Sequence, residues 1–544
     1  MDESGHYGNL LIDKRCCKKA VARTFALCTF SSSRDDVSSN RNTLLARAAT
    51  AVALVALGYM QWFLARPLKN DAFVDEATYI VSGQLLRESA MTGATAPPIA
   101  SYLSGAPHLY PALASVLYDR SGLEAVRALS FACLIVAMLA VYATARQLFD
   151  NRVAGIAAAL LFSLQAPVLF LGRFATYDAP SIALMALAVA FAVDRSERWR
   201  WNSAALAGIC IGAASVLKYA TLLYLPCIVL VAALVVPPPD RWKRGAITGI
   251  GAVAVAAALV ALGQPRELLT GFVSTTLARS VTSGGRATDI IMFAAALGGV
   301  AALIALPALA LASAAVRWAA IAIFASALLA PVNHVRLHEF VSLHKHMAFA
   351  LVLFTALGGG SMAALIAWLG RRWERRQGVI AFAVGVAALA IGARAILRPG
   401  VDEAARLFRY WPDNTRTAYL SFKPVTSKTA RFLSEEPDLG TLYLGKLAPV
   451  AQWVHPYYFD YDGQQARKPA DVTPYRLAIR DGYFTAVLLR FGPQREWADA
   501  VEEELLRSQP RYRLAARLAF DLVDGPGAYQ LWVRADAPGA EGVR

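Results

Sequence analysis

Long, nearly uncharged apolar runs recur along the chain, separated by short polar loops. The first covers roughly 43–64, and further runs follow at about 126–146, 153–171, 179–194, 203–217, 219–236, 245–263, 290–316, 319–332, 347–370 and 378–396. Most are long enough to cross a hydrocarbon core of roughly 30 Å as helices. The pattern therefore predicts a polytopic α-helical membrane protein with eleven transmembrane helices across residues 43–397. Pro167, Pro226 and Pro307 lie inside apolar runs. They are expected to kink their helices without ending them, because neighbouring groups in a packed bundle re-satisfy the freed carbonyls.

From about Pro399 the apolar runs give way to charged, aromatic and proline-punctuated sequence. There Thr426–Leu433 reads as a helix, and Thr441–Leu444 as a short strand. Phe484–Arg490 has the continuous apolar pattern of a buried strand. Gln494–Ser508 is an amphipathic helix with Trp497, Val501, Leu505 and Leu506 inward, and Tyr512–Leu522 and Tyr529–Val533 are strands. Residues 398–544 are thus expected to form a soluble α/β domain large enough for its own core.

Charge sets the orientation. The polar, basic segment 1–42 precedes the first span and is expected to be a disordered cytoplasmic tail, with Cys16-Cys17 as a candidate palmitoylation site. Alternate loops then carry dense basic clusters, ending with Arg371, Arg372, Arg375 and Arg376. This parity puts the N-terminus inside, and it puts the loop 65–125 and the C-terminal domain on the extracytoplasmic side. The net charge is +15, with 57% hydrophobic and only 17% charged residues. The Lys and Arg excess is read as topology determinant and lipid-headgroup contact; no nucleic-acid motif is present. Six cysteines show no metal spacing and no disulfide framework.

Four groups could carry chemistry on the outer side. The first is Asp71, Asp75 and Glu76 in NDAFVDEATYIVSG, residues 70–83. Clustered acids raise one another's pKa and suit a base or a cation site, whereas an isolated Asp75 would serve as a helix N-cap. After Asp75, residues Ala77, Ile80, Val81 and Leu85 share a face, so the segment reads as an interfacial helix. The second group is Arg173 and Asp178 in RFATYDAP, where Asp178 could equally be a helix start. The third is the cations Lys218, Arg266, Arg279 and Arg286, which either bind an anion or snorkel. The fourth is NHVRLHEFVSLHKHM, which holds four of the seven histidines (His334, His338, His344 and His346) beside Arg336 and Lys345. A metal, a phosphate or no ligand are the alternatives there.

A first span followed by an outside loop with Asp-Glu-x-x-Tyr resembles the polytopic C-type glycosyltransferases. The likeness is to the family 39-like branch of protein O-mannosyltransferases and lipid A aminoarabinose transferases. The matching pieces are VDEATYIVSGQLL (74–86), GRFATYDAPSIALMALA (172–188), LAGICIGAASVLKYATLLYLP (206–226) and LHKHMAFALVLFTALGG (343–359). The resemblance implies an inverting transfer of a sugar from a polyprenyl-phosphate donor to an acceptor on the outer face. It implies Asp75 as base, Glu76 as its acidic neighbour, and Asp178 as an acid that orients the acceptor or binds a cation. Phosphate would be held by Lys218, Arg279 and Lys345, with Arg173 and His108 in reach. A divalent metal ion stays an open alternative, with Asp75, Asp178, His344 and His346 as candidate ligands. One departure is visible: many relatives carry Lys-Pro-Pro-Leu in the first outer loop, where this chain has Ala106-Pro107-His108-Leu109-Tyr110-Pro111.

The implied partners are a lipid-linked sugar donor, a glycan, lipid or protein acceptor, and the bilayer. Two other classes share some of these features. A transporter or flippase should show paired halves, which are not visible. A non-catalytic assembly protein would leave the acid cluster without a role. The Ala-, Arg-, Gly- and Leu-rich composition without an Asn-x-Ser/Thr sequon points to a bacterial plasma membrane.

Overall fold

The computed structural model describes residues 36–68, 70–93, 99–101, 103–263, 265–277, 284–373, 399–454, 459–467, 471–493 and 495–542. The basic tail 1–35, the expected span 378–396 and Arg279 lie outside the described residues.

The bundle starts with α1 (Asp36–Ala65), followed by two short helices, α2 (Val74–Thr92) and α3 (Tyr110–Ser121). Next come α4 (Leu123–Phe149), α5 (Arg152–Ser163), α6 (Ala166–Leu171), α7 (Asp178–Ala192) and α8 (Arg200–Leu217). Then follow α9 (Leu225–Leu234), α10 (Pro238–Leu262), α11 (Pro265–Phe272), α12 (Ala287–Leu311), α13 (Arg317–Ala327), α14 (Leu329–Leu337) and α15 (Leu343–Trp373). Among the described residues six stretches are long and apolar enough to cross a membrane: Thr43–Ala65, Leu123–Phe149, Pro238–Leu262, Ala287–Leu311, Arg317–Leu337 and Leu343–Gly370. Shorter apolar helices such as Arg152–Ser163 and Asp178–Ala192 complete the packing. The protein is a multi-pass membrane protein.

The prolines behave differently from expectation at two of three sites. Pro307 lies inside an unbroken α12. The helix before Pro167 stops at Ser163, and Pro167 opens α6; Pro226 likewise opens α9 after a 3-10 segment, Tyr219–Tyr224. Both occupy a first helical turn, where the missing N–H is not needed. The apolar stretch after Arg317 runs on past 332 to Leu337, taking in His334 and Arg336.

In the C-terminal region five strands form one sheet in the order β2-β1-β5-β7-β6. They are β1 (Phe432–Ser434), β2 (Trp453–Val454), β5 (Ala486–Phe491), β6 (Tyr512–Leu522) and β7 (Gly525–Arg534); β3 (Phe459–Tyr461) and β4 (Gln464–Ala466) make a separate hairpin. Strand β1 is parallel to β2 and β5, while β7 is antiparallel to β5 and β6. Along β5, Ala486 and Leu488 pack on one side of the sheet, Val487 and Leu489 on the other. A strand covered on both faces reads as a continuous apolar run, which is why Phe484–Arg490 is legible.

Three local expectations are corrected here. Thr441–Leu444 is the end of a helix, Pro437–Leu444, started by Pro437 and anchored by buried Leu439 and Leu442. Thr426–Leu433 is a turn leading into β1, whose three residues are all buried and so lack any strand alternation. The helix Glu496–Arg507 buries Trp497, Val501 and Leu505, but Leu506 is 53% exposed, one 100° step off that face.

Helix α2 is not an exposed interfacial helix. Ala77, Ile80 and Val81 are buried in one core with Tyr110 of α3 and with Tyr419, Phe432, Leu439 and Trp453 of the C-terminal region. Polar ties reinforce the seam. The Asn70 amide donates to the carbonyls of Phe408 and Trp411 at 2.8 and 2.9 Å, and the Tyr443 hydroxyl accepts from Ala72 N–H at 2.7 Å. Thr78 Oγ1 donates to Asp438 at 2.6 Å. Gly83 allows α3 to lie against α2: a Cβ there would sit 1.9 Å from the Pro111 carbonyl oxygen.

Candidate functional site

The two acids at the start of α2 have opposite surroundings. Glu76 is fully buried. Its carboxylate accepts from Arg127 Nε at 2.9 Å and Nη2 at 2.7 Å, from Phe73 N–H at 3.0 Å and from Ala175 N–H at 2.7 Å. Arg127 also donates to the backbone carbonyls of Asn70 and Asp71. Glu76 therefore joins the entry to α2, the span α4 and the loop before α7, and every oxygen lone pair has a donor. The helix start is capped from Glu76 at its third position, so Asp75 is not needed as the cap.

Asp75 has a single strong partner. Lys345 Nζ, at the start of α15, lies 2.5 Å from Asp75 Oδ2 and 5.5 Å from the centre of the Phe174 ring. The lysine side chain is only 7% exposed, whereas 38% of the aspartate side chain stays accessible. Burial raises the Asp75 pKa; the adjacent Lys345 charge and hydrogen bond, with help from Lys218, more than offset this and hold it below the usual carboxylate range. The accessible carboxylate edge leaves room for another group.

A second buried pair stands beside the first. Lys218 Nζ, at the end of α8, lies 3.2 Å from Asp178 Oδ1, at the start of α7, and 3.4 Å from Ser104 Oγ. The ammonium sits 4.7 Å from the centre of the Tyr177 ring. The Tyr177 hydroxyl is bonded to Ser104 Oγ at 2.6 Å, and its ring lies 4.4 Å, centre to centre, from that of Tyr79, one turn beyond Asp75. Gly105 permits this arrangement: a Cβ there would fall 2.0 Å from the Leu217 carbonyl oxygen, just before Lys218.

Four separate parts of the sequence thus meet at one place: Asp75, Asp178, Lys218 and Lys345. Other candidates point elsewhere. Arg173 is held by Glu124 at 2.7 Å. His108 bonds the Leu259 carbonyl at 3.1 Å; burial pushes its imidazole below the usual range, partly countered by that bond, which disfavours a cationic phosphate ligand near neutral pH. Arg266 and Arg286 are exposed. Asp71 accepts from the Arg416 backbone N–H at 2.7 Å, and burial raises its pKa. His346 pairs with His334 at 2.7 Å, and the His344 ring packs on Phe170. Among the described residues no three His, Cys, Asp or Glu side chains form a group able to hold a metal ion, so the metal candidates Asp75, Asp178, His344 and His346 do not converge as one.

Sequence reasoning missed Arg127, Ser104 and Tyr177. Arg127 had a signal: a lone cation just inside an apolar span needs a buried partner. Ser104 and Tyr177 acquire meaning only from the approach of the α8 end.

Residues 108–263 match the family described as dolichyl-phosphate-mannose-protein mannosyltransferase. Among solved structures, ArnT from Cupriavidus metallidurans bound to undecaprenyl phosphate is similar, with 16% identity and a TM-score of 0.57 over 88% of this chain and 97% of that one. The archaeal oligosaccharyltransferase AglB from Archaeoglobus fulgidus, in complex with an inhibitory peptide and a dolichol-phosphate, is similar with 12% identity and a TM-score of 0.53, over 88% of this chain and 74% of that one. No curated protein matches the chain in sequence. The resemblance read from the sequence motifs holds: this is a chain with the fold of the polytopic C-type glycosyltransferases.

Proposed function

We propose that the protein is an inverting glycosyltransferase that moves a sugar from a polyprenyl-phosphate donor to an acceptor hydroxyl on the outer face of a bacterial plasma membrane. The observation that carries this is the pairing of one accessible carboxylate, Asp75, with two buried lysines, Lys345 and Lys218, in this fold. Asp75 takes the proton of the acceptor hydroxyl. The acceptor oxygen attacks the anomeric carbon from the opposite side to the phosphate, and the carbon–oxygen bond to phosphate breaks with its electron pair leaving on polyprenyl phosphate. General-base help of this kind is worth about 10²–10⁴ in rate.

The lysines stabilise the leaving phosphate. Lys345 is bonded to Asp75, which makes the carboxylate a weak base. A donor phosphate competes for the Lys345 ammonium. Once the lysine turns to phosphate, burial is left as the main influence on Asp75, and its pKa rises toward a useful range. The site thereby switches on when the donor arrives. Glu76 is a positioning residue: it fixes the start of α2 through Arg127. Asp178 holds Lys218 charged and in place. The eleven-span count, the N-inside orientation and the extracytoplasmic C-terminal domain, with boundaries at 42 and 398, belong to this reading. The seam with α2 gives that domain the role of a brace on the catalytic segment.

The test is a transfer assay in membranes with a panel of radiolabelled polyprenyl-phosphate sugars and mixed envelope acceptors. At least one donor is expected to be consumed. If none is turned over or bound, the transferase reading fails. Cysteine accessibility at Ser434 reads the orientation independently: labelling from the cytoplasm alone would reverse it.

A further inference from the structure

A second basic site lies at the far end of α4 from Asp75. Arg127, which anchors Glu76, and Arg146 are on the same helix, about 28 Å apart along its axis at 1.5 Å per residue. At the Arg146 end, a cavity of about 370 Å³ opens between α1, the end of α4 and the start of α5. Arg47, Arg146 and Arg152 line it, one from each of these helices, together with Leu54, Thr50 and Tyr142.

Two properties distinguish this cavity from an ordinary surface cleft. First, its three guanidiniums face no ion-pair carboxylate among the described residues. Elsewhere in the bundle, Arg127, Arg173 and Arg200 are each bound to an acid. Three unpaired cations around one cavity repel one another unless an anion lies between them. Second, the wall is divided. Arginines supply the charge, while Leu54 and the Tyr142 ring supply an apolar side. Helix α1 packs loosely, with only 11% of its apolar window buried, so the cavity is flanked by a helix largely open to lipid. A headgroup phosphate with the first carbons of its chains has this division of charge and apolarity, and basic pockets between transmembrane helices are a known mode of headgroup recognition.

We propose that this cavity binds the phosphate of an anionic phospholipid, seated between Arg47, Arg146 and Arg152 and distinct from the Asp75 site. The bound lipid fills the gap between α1 and the α4–α5 turn and neutralises the three charges. The site holds whether or not Asp75 is a catalytic base.

Native mass spectrometry of the full chain in neutral detergent tests this, with phosphatidylglycerol, phosphatidylcholine and inorganic phosphate as separate arms. Wild type is expected to retain one phosphatidylglycerol and to bind phosphatidylcholine at least about tenfold more weakly. The combined Arg47→Gln, Arg146→Gln, Arg152→Gln variant should lose affinity for phosphatidylglycerol by on the order of a hundredfold. Ala51 also lines the cavity; Ala51→Trp, which fills it and keeps the charges, should also lose the lipid, and it serves alone if the triple variant does not fold. Equal binding of the two lipids by wild type, or undiminished phosphatidylglycerol binding in either variant, overturns the proposal. Displacement of the lipid by millimolar inorganic phosphate would assign the site to a free anion and overturn the lipid source.

Discussion

Asp75 and Glu76 are neighbours in sequence, at the start of one helix, and their environments could hardly differ more. Glu76 is sealed, with Arg127 and two backbone N–H groups occupying all of its hydrogen-bonding capacity. Asp75 meets one lysine and keeps an open edge. Helical geometry produces the difference, because successive side chains point about 100° apart. One acid then turns toward the α4 span and the other toward the gap between α7 and α15. The number of fixed donors separates the two roles: a saturated carboxylate holds structure, and a carboxylate with one displaceable partner can do chemistry.

Substituting each acid should separate these roles. Asp75→Asn keeps the shape and removes the proposed base, so transfer should fall about 10²–10⁴-fold in a folded protein, read by turnover in membranes. Glu76→Gln leaves the buried Arg127 charge with only the exposed Glu124 carboxylate, at 3.4 Å, as counter-ion. It should cost about 3–5 kcal/mol of stability, seen as a lower melting temperature, while activity per folded molecule falls far less than for Asp75→Asn. If Glu76→Gln is as stable as wild type and as inactive as Asp75→Asn, the division of roles is wrong.

Lys345→Gln sharpens the same comparison. It should weaken donor binding by roughly ten- to a hundredfold, read as a raised KM, since a charged hydrogen bond to phosphate is worth about 1.5–3 kcal/mol. It should also change the pH profile. With the lysine gone, burial raises the Asp75 pKa unopposed by its main counter-charge, so the acidic limb of activity moves to higher pH. An unmoved limb would mean that Lys345 does not govern Asp75.

A third arrangement, in the C-terminal region, lies between these extremes. Glu435 and Glu436 share one arginine, Arg490, at 3.3 and 3.2 Å. Burial, and then the neighbouring Glu436 charge, push the Glu435 carboxyl up to about 7 against the pull of Arg490. The folded protein then holds a proton that the unfolded chain loses from about pH 4.5 upward. Stability from this group is full below that pH and is lost as pH rises toward 7. Glu435→Gln should flatten the fall, measured by melting temperature across that range.

The membrane fold was largely legible because uncharged apolar runs of span length are rare outside a bilayer. The β5 strand and the helix around Trp497 were legible for a related reason: burial leaves a pattern. The short β1 strand and the helix at Pro437 were not, since three buried residues have no periodicity and a proline can open a helix as readily as it ends one. Within the site, Asp75, Asp178, Lys218 and Lys345 were picked out singly, because a charge beside an apolar run is costly without a partner or a ligand. Only the family resemblance grouped them in one site; the pairing of Asp75 with Lys345 and of Asp178 with Lys218 could not be read from positions spread over most of the chain. The role of Glu76 was hidden too: its partner Arg127 lies fifty-one residues on. The cover over α2 depends on contacts more than three hundred residues apart, such as Thr78 with Asp438.

The most direct test of the central claim is to measure donor binding and single-turnover transfer side by side in Asp75→Asn, using whichever polyprenyl-phosphate sugar the wild type consumes. Removing the aspartate charge frees Lys345 for the phosphate, so donor binding should be undiminished or tighter while transfer is lost. A folded Asp75→Asn protein that transfers sugar at the wild-type rate would contradict the account.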